Sequence, residues 1–98
     1  MKPFADVMRE DQRLVILRLL HESNSYTLNS SVLTQAMAYL GHEVSRDAVK
    51  TQLAWLAEQE LIFLDEPVAG ILVARLSERG QEVVVGRARV PGVKRPGA

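Results

Sequence analysis

Apolar residues recur at helical spacing in several places along the chain and cluster in two short β-prone runs. In residues 3–22, Phe4, Val7 and Met8 are followed by Leu14, Val15, Ile16, Leu17, Leu19 and Leu20, which predicts a first helix. Pro3 can open it, because its missing amide is harmless there. A break near Glu10-Asp11, with Asp11 capping a second half, is an open alternative. The apolar set is wider than one core-facing stripe requires. Either this helix has neighbours on two sides within one chain, or part of it packs against a second copy. His21 to Ser25 is polar turn material, and Tyr26-Thr27-Leu28 reads as a short strand. Asn29 is an N-cap for a second helix over 30–40, whose stripe is Val32, Leu33, Ala36, Met37 and Leu40. Tyr39 falls off that stripe and is expected to be half exposed.

Gly41 can supply the left-handed residue that ends the second helix. Val44 is the single apolar residue of the turn that follows, expected to be buried between its two helices. Ser45 then caps a third helix, about 46–59, with Asp47 at the positive end of its dipole. Val49, Leu53 and Leu56 form its apolar stripe. Trp55 lies beside that stripe with Ala48, Gln52 and Gln59, as a shoulder of the core or as a contact to a second copy. Residues 61–65 and 71–76 read as strands of a hairpin, joined by Glu66-Pro67-Val68-Ala69-Gly70. Ser77 and Glu78 open a last helix that fades near residues 87–88, with Val83 and Val84 facing inward. The fold class is therefore mainly α with a small β-hairpin. It is a winged helix-turn-helix, with a three-helix core, a wing and a C-terminal helix.

Length fits one domain, read as a winged-helix domain over 1–88 and a flexible basic tail over 89–98. The tail carries Arg89, Lys94 and Arg95 between prolines and glycines. Its simplest role is a solvated end; the functional alternative is an arm that adds phosphate contacts. The formal net charge is zero, which weakens the case for tight DNA binding. The distribution is uneven, since residues 77–98 hold five basic and two acidic side chains. The hairpin tip shows Asp65 and Glu66, which would repel a phosphate backbone.

There is no cysteine, so disulfides and thiolate metal sites are excluded and a reducing cytoplasm is a fitting setting. His21 and His42 are too far apart in sequence to form a helix-borne pair, and no metal or cofactor is expected. No phosphate-cradling glycine motif and no nucleophile elbow occurs, and no carboxylate pair is singled out. An enzyme is not expected. No apolar run reaches membrane-spanning length, and Met1 to Asp6 lacks the apolar region of a signal peptide.

The run from Val44 to Ile62, the hairpin after it, and Leu76-Ser77-Glu78-Arg79-Gly80-Gln81-Glu82-Val83 resemble winged-helix transcription regulators of the arsenic-repressor and multiple-antibiotic-resistance-repressor type. The whole chain is also similar to small proteins of Mu-like prophages, notably at Tyr26 to Leu33 and Val90 to Pro96. The position before Leu61 is often glycine in winged helices; here it is Glu60. The resemblance implies a regulator that reads double-stranded DNA with its third helix, through Ser45, Arg46, Lys50 and Thr51; the basic tail offers Arg89, Lys94 and Arg95 as further contacts. A homodimer through the first helix is the expected assembly. The competing expectation is a protein-interaction module in phage assembly or a host complex, without sequence-specific DNA binding.

Overall fold

In a computed structural model, which describes residues 1–97, the chain forms helix α1 (Phe4–Glu22), strand β1 (Thr27–Asn29), helix α2 (Ser30–Tyr39), helix α3 (Arg46–Glu58), strands β2 (Ile62–Val68) and β3 (Ile71–Leu76), and helix α4 (Glu78–Val84). The sheet is antiparallel in the order β1-β3-β2. Ala74 of β3 stands between Leu28 of β1 and Leu64 of β2, and a bulge between Asp65 and Val68 bends the wing. The core is filled by Leu14, Ile16, Leu17 and Leu20 of α1, Leu33 and Met37 of α2, and Val49, Leu53 and Leu56 of α3. Leu61, Ile62, Ala74, Leu76 and Val83 close it. This is a winged helix.

Three caps set the helix starts. Asn29 Oδ1 accepts from Val32 N at 2.8 Å, and Ser45 Oγ from Ala48 N at 3.0 Å. Ser77 Oγ accepts from Gly80 N at 3.0 Å and donates to the Glu60 carbonyl at 2.8 Å. That second bond steadies Glu60, which holds a left-handed φ of 61° without being glycine, at a cost of about 1 kcal/mol. Gly41, at φ 93°, ends α2 as the sequence predicts, and Val44 is half-buried in the turn.

Several expectations are corrected. Helix α1 runs unbroken through Glu10-Asp11. Asp11 caps nothing; its carboxylate accepts from Lys94 Nζ at 3.3 Å and lies 2.8 Å from His42 Nε2. Tyr26 is outside β1, since its φ of 56° is incompatible with a strand. Val32 and Leu40 are exposed. Helix α2 turns Leu33 and Met37 inward and buries Ser30, whose Oγ accepts from Leu72 N at 3.2 Å and fixes the helix start to β3. Tyr39 is 92% exposed rather than half. Helix α4 stops at Val84, ahead of Gly86 at φ 82°.

The expected free tail is also corrected. Val90 and Val93 keep only 3% and 6% of their surface exposed and belong to the core. The Lys94 amide donates to the Glu10 carbonyl at 3.2 Å. Two valines three residues apart, with prolines and glycines around them, show no period in the sequence, so only tertiary packing reveals their burial.

Candidate nucleic-acid interface

Helix α3 is held from within by Val49, Leu53 and Leu56, so its opening turn projects from the body. Ser45, Arg46, Asp47 and Thr51 are exposed and Lys50 is half-buried. The Ser45 oxygen is engaged by the cap, which leaves its O–H free to donate outward. Thr51 Oγ1 donates to the Asp47 carbonyl at 3.2 Å, so its methyl and its lone pairs remain.

The two cations of the turn lie to one side of the helix. Arg46 Nη2 donates to Ser31 Oγ at the start of α2, 3.2 Å away. Lys50 reaches toward the wing, where a Cβ built on Gly70 would stand 3.9 Å from its Nζ. The acidic wing residues fold the tip itself. Asp65 Oδ1 accepts from the Glu66 amide at 3.0 Å, and Glu66 Oε2 accepts from the Gly70 amide at 2.8 Å. Their charges therefore have a structural reason, which the sequence alone did not suggest.

The opposite side of α3 is covered by the C-terminal segment. Arg13 of α1 lies 3.8 Å over the Trp55 ring, donates from Nε to Gln52 Oε1 at 2.8 Å, and donates from Nη1 to the Gly92 carbonyl at 3.0 Å. Burial lowers the Arg13 pKa, with repulsion from Arg9 adding to the shift. Gln52 is buried because Arg13 supplies its partner, a pairing across 39 positions that no local pattern signals. Arg89, Lys94 and Arg95 are exposed, with Lys94 tied to Asp11. The candidate residues therefore form two groups on either side of α3. Ser45, Arg46, Lys50 and Thr51 cluster at its start and toward the wing. Arg89, Lys94 and Arg95 sit on the docked C-terminal segment. Among the described residues, no group of three or more His, Asp or Glu side chains is placed to hold a metal, and no helix is long and apolar enough to cross a membrane.

No described protein family matches the sequence. The chain is 50% identical over 91 residues to the uncharacterised protein gp26 of Escherichia phage Mu, covering 93% of each. It is 40% identical over 76 residues to an uncharacterised protein of Haemophilus influenzae, covering 78% of this chain and 74% of that one. Among solved structures it is similar to RosR of H. salinarum grown from NaBr, with TM-score 0.65 and 21% identity over 76% of this chain and 66% of that one. A complex structure designated hsRosR-S4 gives TM-score 0.63 and 22% identity over 74% of this chain and 62% of that one. The chain thus spans just under two thirds of RosR. At such identities the likeness shows the winged-helix fold, and it singles out neither the arsenic-repressor nor the multiple-antibiotic-resistance-repressor branch.

Proposed function

The chain belongs to the family of small proteins that contains gp26 of phage Mu, and from that premise we propose that it binds double-stranded DNA as a winged-helix regulator of transcription. The observation that carries this reading is the opening of α3, whose leucines anchor it inward while Ser45, Arg46 and Thr51 are exposed and Lys50 is half-buried beside them. A helix displayed in this way fits the major groove by its N-terminal residues. Arg46 and Lys50 supply phosphate contacts, and Ser45 adds a hydroxyl donor. Arg89, Lys94 and Arg95 offer further contacts from a segment that is docked, so little ordering entropy opposes their use. A DNA partner implies action in the cytoplasm.

We place a homodimer in the same proposal. Phe4 is 77% exposed, and Val7 and Leu40 are exposed too. Together with the half-buried Met8, Val15 and Leu19, they leave an apolar face on the outer side of α1.

The test is a salt titration of duplex binding. Two phosphates neutralised by Arg46 and Lys50, rising to five with Arg89, Lys94 and Arg95, predict a slope of about −2 to −4.5 per protomer in log K against log salt. Arg46→Ala with Lys50→Ala should weaken all duplexes alike. Binding that is undetectable at low salt, or unchanged in that double variant, rejects the proposal. The second reading, a protein-interaction module, is favoured by the same apolar face of α1 and by the zero net charge. A folded, monomeric protein with no affinity for duplex DNA would select it.

A further inference from the structure

The outward strip of α3 differs in chemistry from its flanks. At about 100° per residue, positions 47, 51, 54 and 58 fall on one line along the helix, opposite the buried Val49, Leu53 and Leu56. All four are exposed. The strip therefore carries Asp47, Thr51, Ala54 and Glu58 and no cation. Arg46 and Lys50 lie at its edge, toward Ser31 and the wing. Trp55 lies at the other edge, under Gly92 and Arg13. Among the described residues, the Asp47 carboxylate has no hydrogen-bond or ion-pair partner.

We infer that Asp47 is the specificity-determining residue of the proposed DNA complex, accepting from the exocyclic amino group of a cytosine, while Arg46 and Lys50 hold phosphates. This rests on the DNA-binding role proposed above and goes beyond it in naming the base chemistry. An ionised carboxylate only accepts hydrogen bonds. In the major groove, donors occur only at cytosine N4 and adenine N6, whereas guanine presents two acceptors. Adenine N6 lies between its own N7 and the thymine O4, both of which repel a carboxylate. Cytosine N4 has an acceptor, guanine O6, on one side only, so cytosine is the better partner. Thr51 and Ala54 follow on the same strip and present methyl groups, since the Thr51 hydroxyl proton is committed to the Asp47 carbonyl. Those methyls suit a neighbouring thymine. Glu58 stands three turns further on, away from a groove entered by the helix N-terminus.

Selection from a randomised duplex pool at low salt tests this, using the full chain and its Asp47→Asn, Asp47→Ala and Glu58→Gln variants. All three substitutions are at exposed sites, and circular dichroism melting verifies that each variant is folded. The parent should enrich a motif with cytosine at one position of each site. Asp47→Asn should move that position to adenine, the partner of an amide side chain, reversing the preference roughly tenfold or more. Asp47→Ala should lose the preference there and keep the rest of the motif, and Glu58→Gln should leave the motif unchanged. If both Asp47 variants select the parent motif, or only rise uniformly in affinity as a repulsive charge is removed, the inference is overturned while DNA binding stands. If no duplex is retained by any form, the DNA-binding role and this inference fall together.

Discussion

Gly92→Ala isolates what the C-terminal segment contributes, because it adds one methyl group at the point where that segment meets α3. A Cβ there would stand 2.7 Å from Trp55 Cζ2, 2.8 Å from Cη2 and 3.2 Å from Arg13 Nη1. Gly92 also holds a φ of 99°, where a side chain costs about 1 kcal/mol. The chain then has two ways to accommodate the methyl. Keeping the segment docked forces the indole and guanidinium apart, and such overpacking costs about 1–3 kcal/mol. Lifting the segment exposes Val93, worth about 1.5–3 kcal/mol if fully lost, and loosens the Arg13–Trp55 stack, worth about 0.5–2 kcal/mol. The cheaper route sets the result, so we expect a loss of about 2–3 kcal/mol. With a urea m-value of about 1 kcal/mol per molar for a small domain, the midpoint falls by about 2–3 M. The chain has one tryptophan, so fluorescence during urea unfolding reports this site directly, and native emission should shift to the red as Gly92 leaves the ring. Gly41→Ala is the control, with φ 93° and no atom within 4 Å of the added Cβ. It should lose only the conformational term, about 1 kcal/mol. If Gly92→Ala unfolds within about 0.5 kcal/mol of the parent, the overpacking and docking costs are absent and the C-terminal segment adds nothing to stability.

Other substitutions probe separate links. Gly80→Ala should be the most damaging glycine change, since its Cβ would meet the Leu61 carbonyl at 2.3 Å and Leu76 Cδ1 at 2.5 Å; loss of a cooperative thermal transition, or a drop of more than about 3 kcal/mol, is expected. Ser45→Ala removes the α3 cap and should lower stability by about 1 kcal/mol in urea, with no change expected if the serine only faces solvent. Glu60→Gly relieves a left-handed φ of 61° and should raise stability by up to about 1 kcal/mol; destabilisation would mean that the strain is already relieved by the Ser77 bond. Phe4→Glu should yield a folded monomer by sedimentation if two copies meet on α1, and an unchanged dimer would place the contact elsewhere.

The parts of the fold legible in the sequence are those fixed by local chemistry. Asn29, Ser45 and Ser77 cap helices because a short polar side chain satisfies an amide two or three residues on, and Gly41 reverses the chain because it lacks a Cβ. These signals lie within a few residues of what they control. Features set by distant partners were hidden. Asp11 has a cap's composition, yet it is used by His42 and by Lys94, which lies 83 positions away. Gln52 is polar, yet buried, because Arg13 reaches it from another helix. Asp65 and Glu66 suggest repulsion, yet each accepts a backbone amide of the hairpin it belongs to. The positions of the candidate interface residues along α3 followed from helical periodicity. Their division into a cationic flank and a cation-free outer strip depended on how the helix is rolled against its neighbours.

That roll is set by the C-terminal segment as much as by the leucines. The buried residues Val49, Leu53 and Leu56 anchor one side of α3, but a cylinder resting on a single apolar stripe can still rock about its axis. Trp55 removes that freedom, because it is held between Arg13 and Gly92 while Gln52 is bonded to the same guanidinium. A rock of one residue's width, about 100°, would exchange the outer strip for one of its flanks. Any base preference carried by Asp47 therefore depends on the docking of Val90 and Val93, residues remote from the opening turn of α3. The same packing gives a chain with no net charge a defined outer surface on α3, which the proposed DNA complex requires. Arg46 is bonded to Ser31 and Lys94 is paired with Asp11, so in the proposed complex their placement would offset part of the missing bulk attraction.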